Sequence, residues 1–204
     1  SDGHANTSAG DGRLTFAKPE QENSDGYAYD PEHPSQHIID MSENEIEVPE
    51  DYTQEELRQD LLCYTSPVLE EDLVLTGDMT AELYISSDAP DTDFVVRVTD
   101  VDENGRSIKL ADGLLSARYR NGFARSEFLQ EGEIVCLKIR TTKLSNCFRK
   151  GHRIRVTITS SAKNFIFPNS NTREGYASAR TVVAHNRVHH GGLHASRLTV
   201  RVEP

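Results

Sequence analysis

The sequence predicts an all-β chain in which two antiparallel sheets pack face to face, as a sandwich or jelly roll. Three observations carry this expectation. After Asp60, apolar and polar residues alternate with a period of two, the pattern of strands with one buried and one wet face. No helical pattern of about 10–15 residues separates these runs, which argues against parallel βαβ units. Asn104-Gly105 stands between two of the runs and is the strongest short-range hairpin signal.

The elements follow in chain order. Residues 1–52 are rich in turns and poor in apolar side chains, as in Gly10-Asp11-Gly12, Asn23-Ser24-Asp25-Gly26 and Asp30-Pro31-Glu32-His33-Pro34. They read as an extended arm with no core of its own, which must pack on the sandwich to be ordered. One short helix is expected over Thr53–Leu62. Thr53 is its N-cap, Glu56 completes a capping box, and Leu57 and Leu61 share a face.

Strands are then expected around Leu73–Thr76, Ala81/Leu83/Ile85, Phe94/Val96/Val98, Leu114–Tyr119, Val135/Leu137/Ile139, Ile154/Val156/Ile158, Thr181–Arg187 and Leu198/Val200/Val202. The expected organisation is an acidic arm with a short helix over residues 1–58 and a sandwich over 59–204. A single domain of 204 residues buries roughly 70% of its unfolded surface, enough for a core without staples.

Charge is uneven along the chain. Residues 1–72 hold 19 acidic and 3 basic side chains, a net of −16, whereas residues 73–204 hold 14 and 19, a net of +5. The acidic part is either a solvated face or lies on the basic remainder. In the second case residues 13–52 place carboxylates near Arg97, Lys138, Arg140, Arg153 and Arg155. Nucleic acid is not an expected partner, because the basic residues alternate along strands and do not cluster with aromatics. No apolar run approaches the roughly 20 residues of a membrane span, and no signal peptide opens the sequence. Cys63, Cys136 and Cys147 are odd in number and widely spaced. They read as small buried hydrophobes in a reducing, cytoplasmic compartment.

Few residues invite a chemical reading. The G-x-S-x-G nucleophile elbow is absent, and Thr159-Ser160-Ser161 closes a strand, where it is expected to bond backbone. His185, His189, His190 and His194 fall within ten residues, but His185 and His189 stand about 13 Å apart on a strand and cannot share an ion. His190 and His194 flank a Gly-Gly turn and can approach each other, yet no carboxylate or cysteine completes a metal set. The runs Asp88/Asp91/Asp93 and Asp100-Val101-Asp102-Glu103 are expected to cap loop backbones rather than hold calcium. No catalytic residue, metal ligand or cofactor site is therefore expected.

The order of the pieces carries a resemblance. Ser66-Pro67-Val68-Leu69-Glu70-Glu71-Asp72 precedes Ser86-Ser87-Asp88-Ala89-Pro90-Asp91-Thr92-Asp93-Phe94. Asp112-Gly113-Leu114-Leu115-Ser116-Ala117-Arg118-Tyr119-Arg120 follows, then Ser145-Asn146-Cys147-Phe148-Arg149-Lys150-Gly151-His152-Arg153 and Thr159-Ser160-Ser161. This succession resembles the C-terminal domain of the X-Pro dipeptidyl-peptidase / cocaine esterase (CocE/NonD) family of serine hydrolases over about residues 58–202, and more weakly over residues 1–34.

The resemblance implies a galactose-binding-like jelly-roll sandwich packed on an α/β-hydrolase domain of the same parent chain. That domain would carry the whole catalytic triad, so no catalytic residue transfers to a position here. Two loops depart from the family pattern: His37-Ile38-Ile39-Asp40 stands in place of a Gly-Gly, and Ala162-Lys163-Asn164-Phe165 in place of a Phe-Pro.

The expected function is that of a non-catalytic C-terminal domain which stabilises a serine hydrolase and helps to wall its substrate cleft. Ile38, Ile39 and Met41 are the expected cleft-bordering residues, since they form an apolar run in a polar arm with nothing local to bury it. An excised chain is expected to self-associate as a homo-oligomer through that face. The alternative is a free-standing carbohydrate- or ligand-binding module. Such modules present exposed aromatics, whereas this chain lacks Trp and its Tyr and Phe residues are expected mostly at strand positions.

Overall fold

A computed structural model of the chain describes residues 1–38 and 50–202. In chain order the strands are β1 (Asn23–Tyr29), β2 (Leu61–Thr65), β3 (Leu73–Gly77), β4 (Thr80–Ser87), β5 (Asp93–Val101), β6 (Ser107–Ser116), β7 (Val135–Arg140), β8 (Leu144–Phe148), β9 (Arg153–Thr159), β10 (Ala184–His190) and β11 (Arg197–Thr199). One sheet runs β1-β10-β4, with β11 continuing along the same side of β4 and β7 on the other. The second runs β2-β9-β5-β6, and β3 with β8 makes a separate ribbon. The pairings between these strands are antiparallel.

The period-two pattern explains the core. Leu83, Ile85, Leu137, Ile139 and Val188 from the first sheet meet Leu62, Phe94, Val96, Val98, Val156 and Ile158 from the second. Asn104-Gly105 does close a hairpin, between β5 and β6. Gly105, in the left-handed region at φ +84, follows the Asp102 turn, whose carbonyl accepts from Gly105 N at 3.0 Å. All the expected strands are present in part. β1, β2 and β8 were not expected.

The second sheet departs from the one-wet-face expectation. β5 is buried along almost its whole length, because residues 34–38 and 50–58 cover the outward face that carries Arg97 and Thr99. The expected helix over Thr53–Leu62 shrinks to a single 3-10 turn, Glu55–Leu57, and Leu61 already begins β2. Thr53 does not cap it, and its hydroxyl donates to Asp51 Oδ1 at 2.6 Å instead.

Glu56 is not a capping-box partner either. Its side chain turns inward, 1% exposed, onto the Arg155 guanidinium and the Ser107 hydroxyl at 2.8 Å. Burying a carboxylate against a cation and a hydroxyl donor fixes the turn more firmly than a surface cap does.

The arm lies on the sandwich through fewer ion pairs than expected. Lys138 pairs with Glu82, Arg140 with Asp78 and Arg155 with Glu56, none of them from residues 13–52. Outward strand charges are met by nearer neighbours along or across the strands. Arg97 is 1% exposed; it donates to the carbonyls of Gln36 at 3.2 Å and Ser161 at 3.3 Å, and lies over the Tyr52 ring at 4.8 Å. Among the described residues, two arm carboxylates meet lysine or arginine of the sandwich, Glu50 with Lys109 at 2.5 Å and Asp51 with Arg106 at 3.0 Å.

Residues 1–14 seal the seam between the β1 and β2 edges. Cys63 N donates to Ala5 O at 2.8 Å and Thr65 N to Gly12 O at 3.1 Å. A Cβ on Gly12 would lie 2.0 Å from the Cys63 carbonyl oxygen, so only glycine permits this approach.

Beneath the seam lies Asp25, fully buried on β1. It accepts from Tyr64 Oη at 2.8 Å, Ser1 Oγ at 2.5 Å and Ala5 N at 3.1 Å, with His190 Nε2 at 3.1 Å. Burial alone would push this carboxyl up, but the bonds from His190, Ser1, Tyr64 and Ala5 outweigh it and bring it down to about 2. Because the folded value lies below the unfolded one, the stabilisation is present above about pH 4 and is lost as pH falls toward 2. It amounts to about 2 kcal/mol. Asp25→Asn is expected to remove that amount at neutral pH and to flatten the acid limb of the urea-unfolding profile; an unchanged limb would contradict the assignment.

Candidate functional site

The ends of β1, β4, β6 and β9 and the starts of β5 and β10 gather at one end of the sandwich. The registers show this: Tyr29 faces Ala184, Ser87 faces Asn186, Asp93 faces Ser116 and Val95 faces Thr159. Four connections leave this end, residues 30–38, 88–92, 117–134 and 160–183.

A buried polar hub links three of them, 88–92, 117–134 and 160–183. Asn169 Nδ2 donates to both Asp91 Oδ2 at 2.8 Å and Asp93 Oδ1 at 2.9 Å. Arg118 Nε also reaches Asp91 Oδ2, at 2.8 Å, and its other nitrogens take the carbonyls of Thr172 and Arg173. The Tyr176 hydroxyl donates to Asp93 Oδ2 at 2.7 Å. Burial pushes the Asp93 carboxyl up, and the Asp91 charge beside it adds to that. As expected from the sequence, these carboxylates organise loops, and Asp102 likewise caps Asn104 N and Arg106 N.

Large apolar side chains are exposed on these loops. Of 13 in the described residues, Phe123, Ile134, Phe165, Phe167, Tyr176, Val182 and Val183 belong to the connections of this end. Phe167 is 83% exposed and Phe165 54%. Phe and Tyr do not fall mostly at strand positions as expected: eight of the fourteen lie outside strands. The signal was present in Phe165-Ile166-Phe167-Pro168, an apolar run ending in a proline that no strand interior accommodates.

Of the expected cleft-bordering residues, Ile38 is half-buried, and its amide donates to Tyr52 Oη at 2.9 Å. Ile39 and Met41 lie outside the described residues. The two loops that depart from the family pattern touch each other. His37 N donates to Lys163 O at 2.8 Å, Lys163 N to Ser35 O at 2.9 Å, and the His37 ring stacks on Phe165 at 4.7 Å. Neighbouring this end, an open depression of about 280 Å³ is lined by Asp88, Asn171, Arg173, Arg180 and Val182 among others.

The other chemical residues have structural partners. Ser160 Oγ bonds the Tyr27 hydroxyl at 2.8 Å and Asn186 Nδ2 at 2.9 Å, and Ser161 Oγ accepts Ser35 N at 2.8 Å. Ser86 Oγ and His189 Nε2 are 2.9 Å apart. The serine is 6% exposed, however, and no carboxylate bonds the imidazole among the described residues, so the pair lacks the orienting group of a triad. His185 pairs with Asp88, His190 with Asp25 and His194 with Glu22. His194 approaches His189, ring to ring at 6.2 Å. Among the described residues no three metal-ligating side chains converge. Cys63 is buried as expected, but Cys136 and Cys147 are half-buried. No helix in the described residues is long and apolar enough to cross a membrane.

The family model of the X-Pro dipeptidyl-peptidase C-terminal non-catalytic domain matches residues 2–199. The chain is 36% identical over 207 residues to the cocaine esterase of Rhodococcus sp. (strain MB1 Bresler), covering 98% of this chain and 36% of the esterase. An aminopeptidase from the marine sediment archaeon Thaumarchaeota archaeon superposes with a TM-score of 0.87 at 24% identity, over 95% of this chain and 35% of that one. An alpha-amino acid ester hydrolase superposes with a TM-score of 0.85 at 22% identity, over 99% and 36%. These likenesses to solved structures show the fold. The chain spans about a third of the length of the proteins it matches.

The thiols and serines give a direct test. Burial, with the Glu56 carboxylate nearby, pushes the Cys63 thiol up to about 12. Iodoacetamide at neutral pH is expected to modify Cys136 and Cys147 and to spare Cys63 until the chain unfolds. A fluorophosphonate is expected to label no serine. Stoichiometric labelling of Ser86 would overturn the structural reading of its contact with His189.

Proposed function

Since the chain belongs to the X-Pro dipeptidyl-peptidase C-terminal non-catalytic domain family, we propose that it docks on the α/β-hydrolase domain of its parent polypeptide, stabilises that domain and walls part of its substrate cleft. Residues 1–58 lead from the catalytic domain and close the sandwich formed with residues 59–204. The parent is a serine hydrolase acting on X-Pro peptides or on acyl esters or amides, and the acyl chemistry belongs to the partner domain.

One observation carries the reading. The loops of one end expose Phe165 and Phe167, with Phe165 stacked on His37, the neighbour of Ile38 in sequence, and the bonds through Lys163, Ser35 and Tyr52 tie these segments together. Aromatic side chains presented from a fixed frame are what a docking interface uses, because little entropy remains to be lost on binding. Ile38, Ile39 and Met41 follow directly on His37 and are proposed to border the cleft. The isolated chain, with the patch uncovered, is proposed to self-associate through it.

The test uses the full-length parent. Phe167→Asp and Ile38→Asp are each expected to weaken docking by about 2 kcal/mol, seen as a lower unfolding temperature of the hydrolase domain and a raised KM. The isolated chain carrying the same substitutions should keep its circular dichroism. Parent variants with unchanged melting and kinetics would contradict the reading.

A further inference from the structure

Asn104-Gly105 and Asn121-Gly122 are two copies of one dipeptide in unlike surroundings. Both glycines have left-handed backbones, at φ +84 and +116, with nothing within 4 Å of the place a Cβ would occupy. Both glycine amides make the same turn bond at 3.0 Å, Gly105 N to Asp102 O and Gly122 N to Tyr119 O. The difference lies in the asparagine side chains.

Asn121 Nδ2 donates to Glu127 Oε2 at 2.7 Å, and Arg125 Nε holds the other Glu127 oxygen at 3.0 Å. The segment is pinned further by Glu127 N, which donates to Arg118 O at 2.8 Å, and by the Arg120 guanidinium on Glu127 O. Asn104 is exposed at a hairpin tip. Only its backbone nitrogen is engaged, by Asp102 Oδ1 at 2.8 Å, and its carboxamide bonds no described residue. The neighbouring carboxylates are turned elsewhere: Asp102 accepts the Asn104 and Arg106 amides, and Glu103 lies over Gly151.

We propose that Asn104 is a site of spontaneous deamidation and isomerisation, and that the tether to Glu127 protects Asn121 from the same reaction. Gly105 N leaves the Asp102 carbonyl, loses its proton and attacks Asn104 Cγ. The N–Cγ bond forms, the Cγ–Nδ2 bond breaks, and ammonia departs with the proton to leave a cyclic imide. Water then opens the imide at either carbonyl, giving aspartate or isoaspartate. One water is consumed and one ammonia released, with no oxidant or reductant.

Glycine is needed because a side chain on the attacking residue would crowd the approach. A hairpin tip with nothing packed on it opens locally at little cost. At Asn121 the carboxamide must first leave Glu127, and that carboxylate also opposes the negative charge developing on the attacked amide. The product places a new carboxylate beside Asp102 and Glu103. In its iso form it also lengthens the main chain within the turn that sets the Val101–Ser107 register.

The test is peptide mapping of the intact chain after prolonged incubation in mildly alkaline buffer, with isoaspartyl methyltransferase labelling to identify the iso product. In the folded chain Asn104 is expected to convert several-fold faster than Asn121. In denaturant the difference should collapse, and Glu127→Ala should raise the Asn121 rate in the folded chain toward that of Asn104. Equal rates in the folded chain would overturn the proposal. So would an intact Asn104 under conditions where the denatured chain converts, or a Glu127→Ala variant in which Asn121 stays protected.

Discussion

The buried carboxylate of Glu56 is the contact on which the second sheet's outer layer depends. A sheet that carries Arg97, Thr99, Ser107 and Arg155 on its outward face cannot leave them half-desolvated, because an unpaired buried polar group costs about 1–3 kcal/mol and an unpaired charge more. Glu56 answers Arg155, Ser107 and Thr99 together. The turn that carries it brings Glu55 to the amide of Gln36 at 2.7 Å and Tyr52 to the amide of Ile38 at 2.9 Å. The polar layer is thus closed by the arm.

That closure links fold to function. Pro34–Ile38 lies between the sheet and the loop after β9, held on one side by Tyr52 and on the other by Lys163 and Phe165. The exposed aromatic patch therefore rests on a base fixed by a buried charge pair many residues away in sequence. A docking surface built this way keeps its shape without a partner. This suits the docking role proposed for it.

Much of the fold was legible in the sequence, since alternation such as Phe94/Val96/Val98 or Ile154/Val156/Ile158 has one physical meaning. What was illegible followed from buried polar groups. β1 reads as a turn because Asn23-Ser24-Asp25-Gly26 is loop chemistry, yet Asp25 faces inward and finds four partners that no local pattern announces. The Thr53–Leu62 segment reads as a capped helix because Glu56 has the right spacing, but Arg155 claims that carboxylate from 99 residues away. The loop aromatics Phe165 and Phe167 were legible as an apolar run before a proline. The apolar run at Ile38 was legible from composition alone.

The most direct measurement of this account is amide hydrogen exchange at His37, Ile38 and Tyr52 in a Glu56→Gln variant. Removing the charge weakens a charge-assisted bond of about 1.5–3 kcal/mol, so exchange at these three amides is expected to rise about 10–100-fold while β4 and β7 keep their protection. Unchanged exchange at His37 and Ile38, with Glu56→Gln folded and Arg155 still buried, would contradict the claim that this carboxylate holds the arm and the patch it supports.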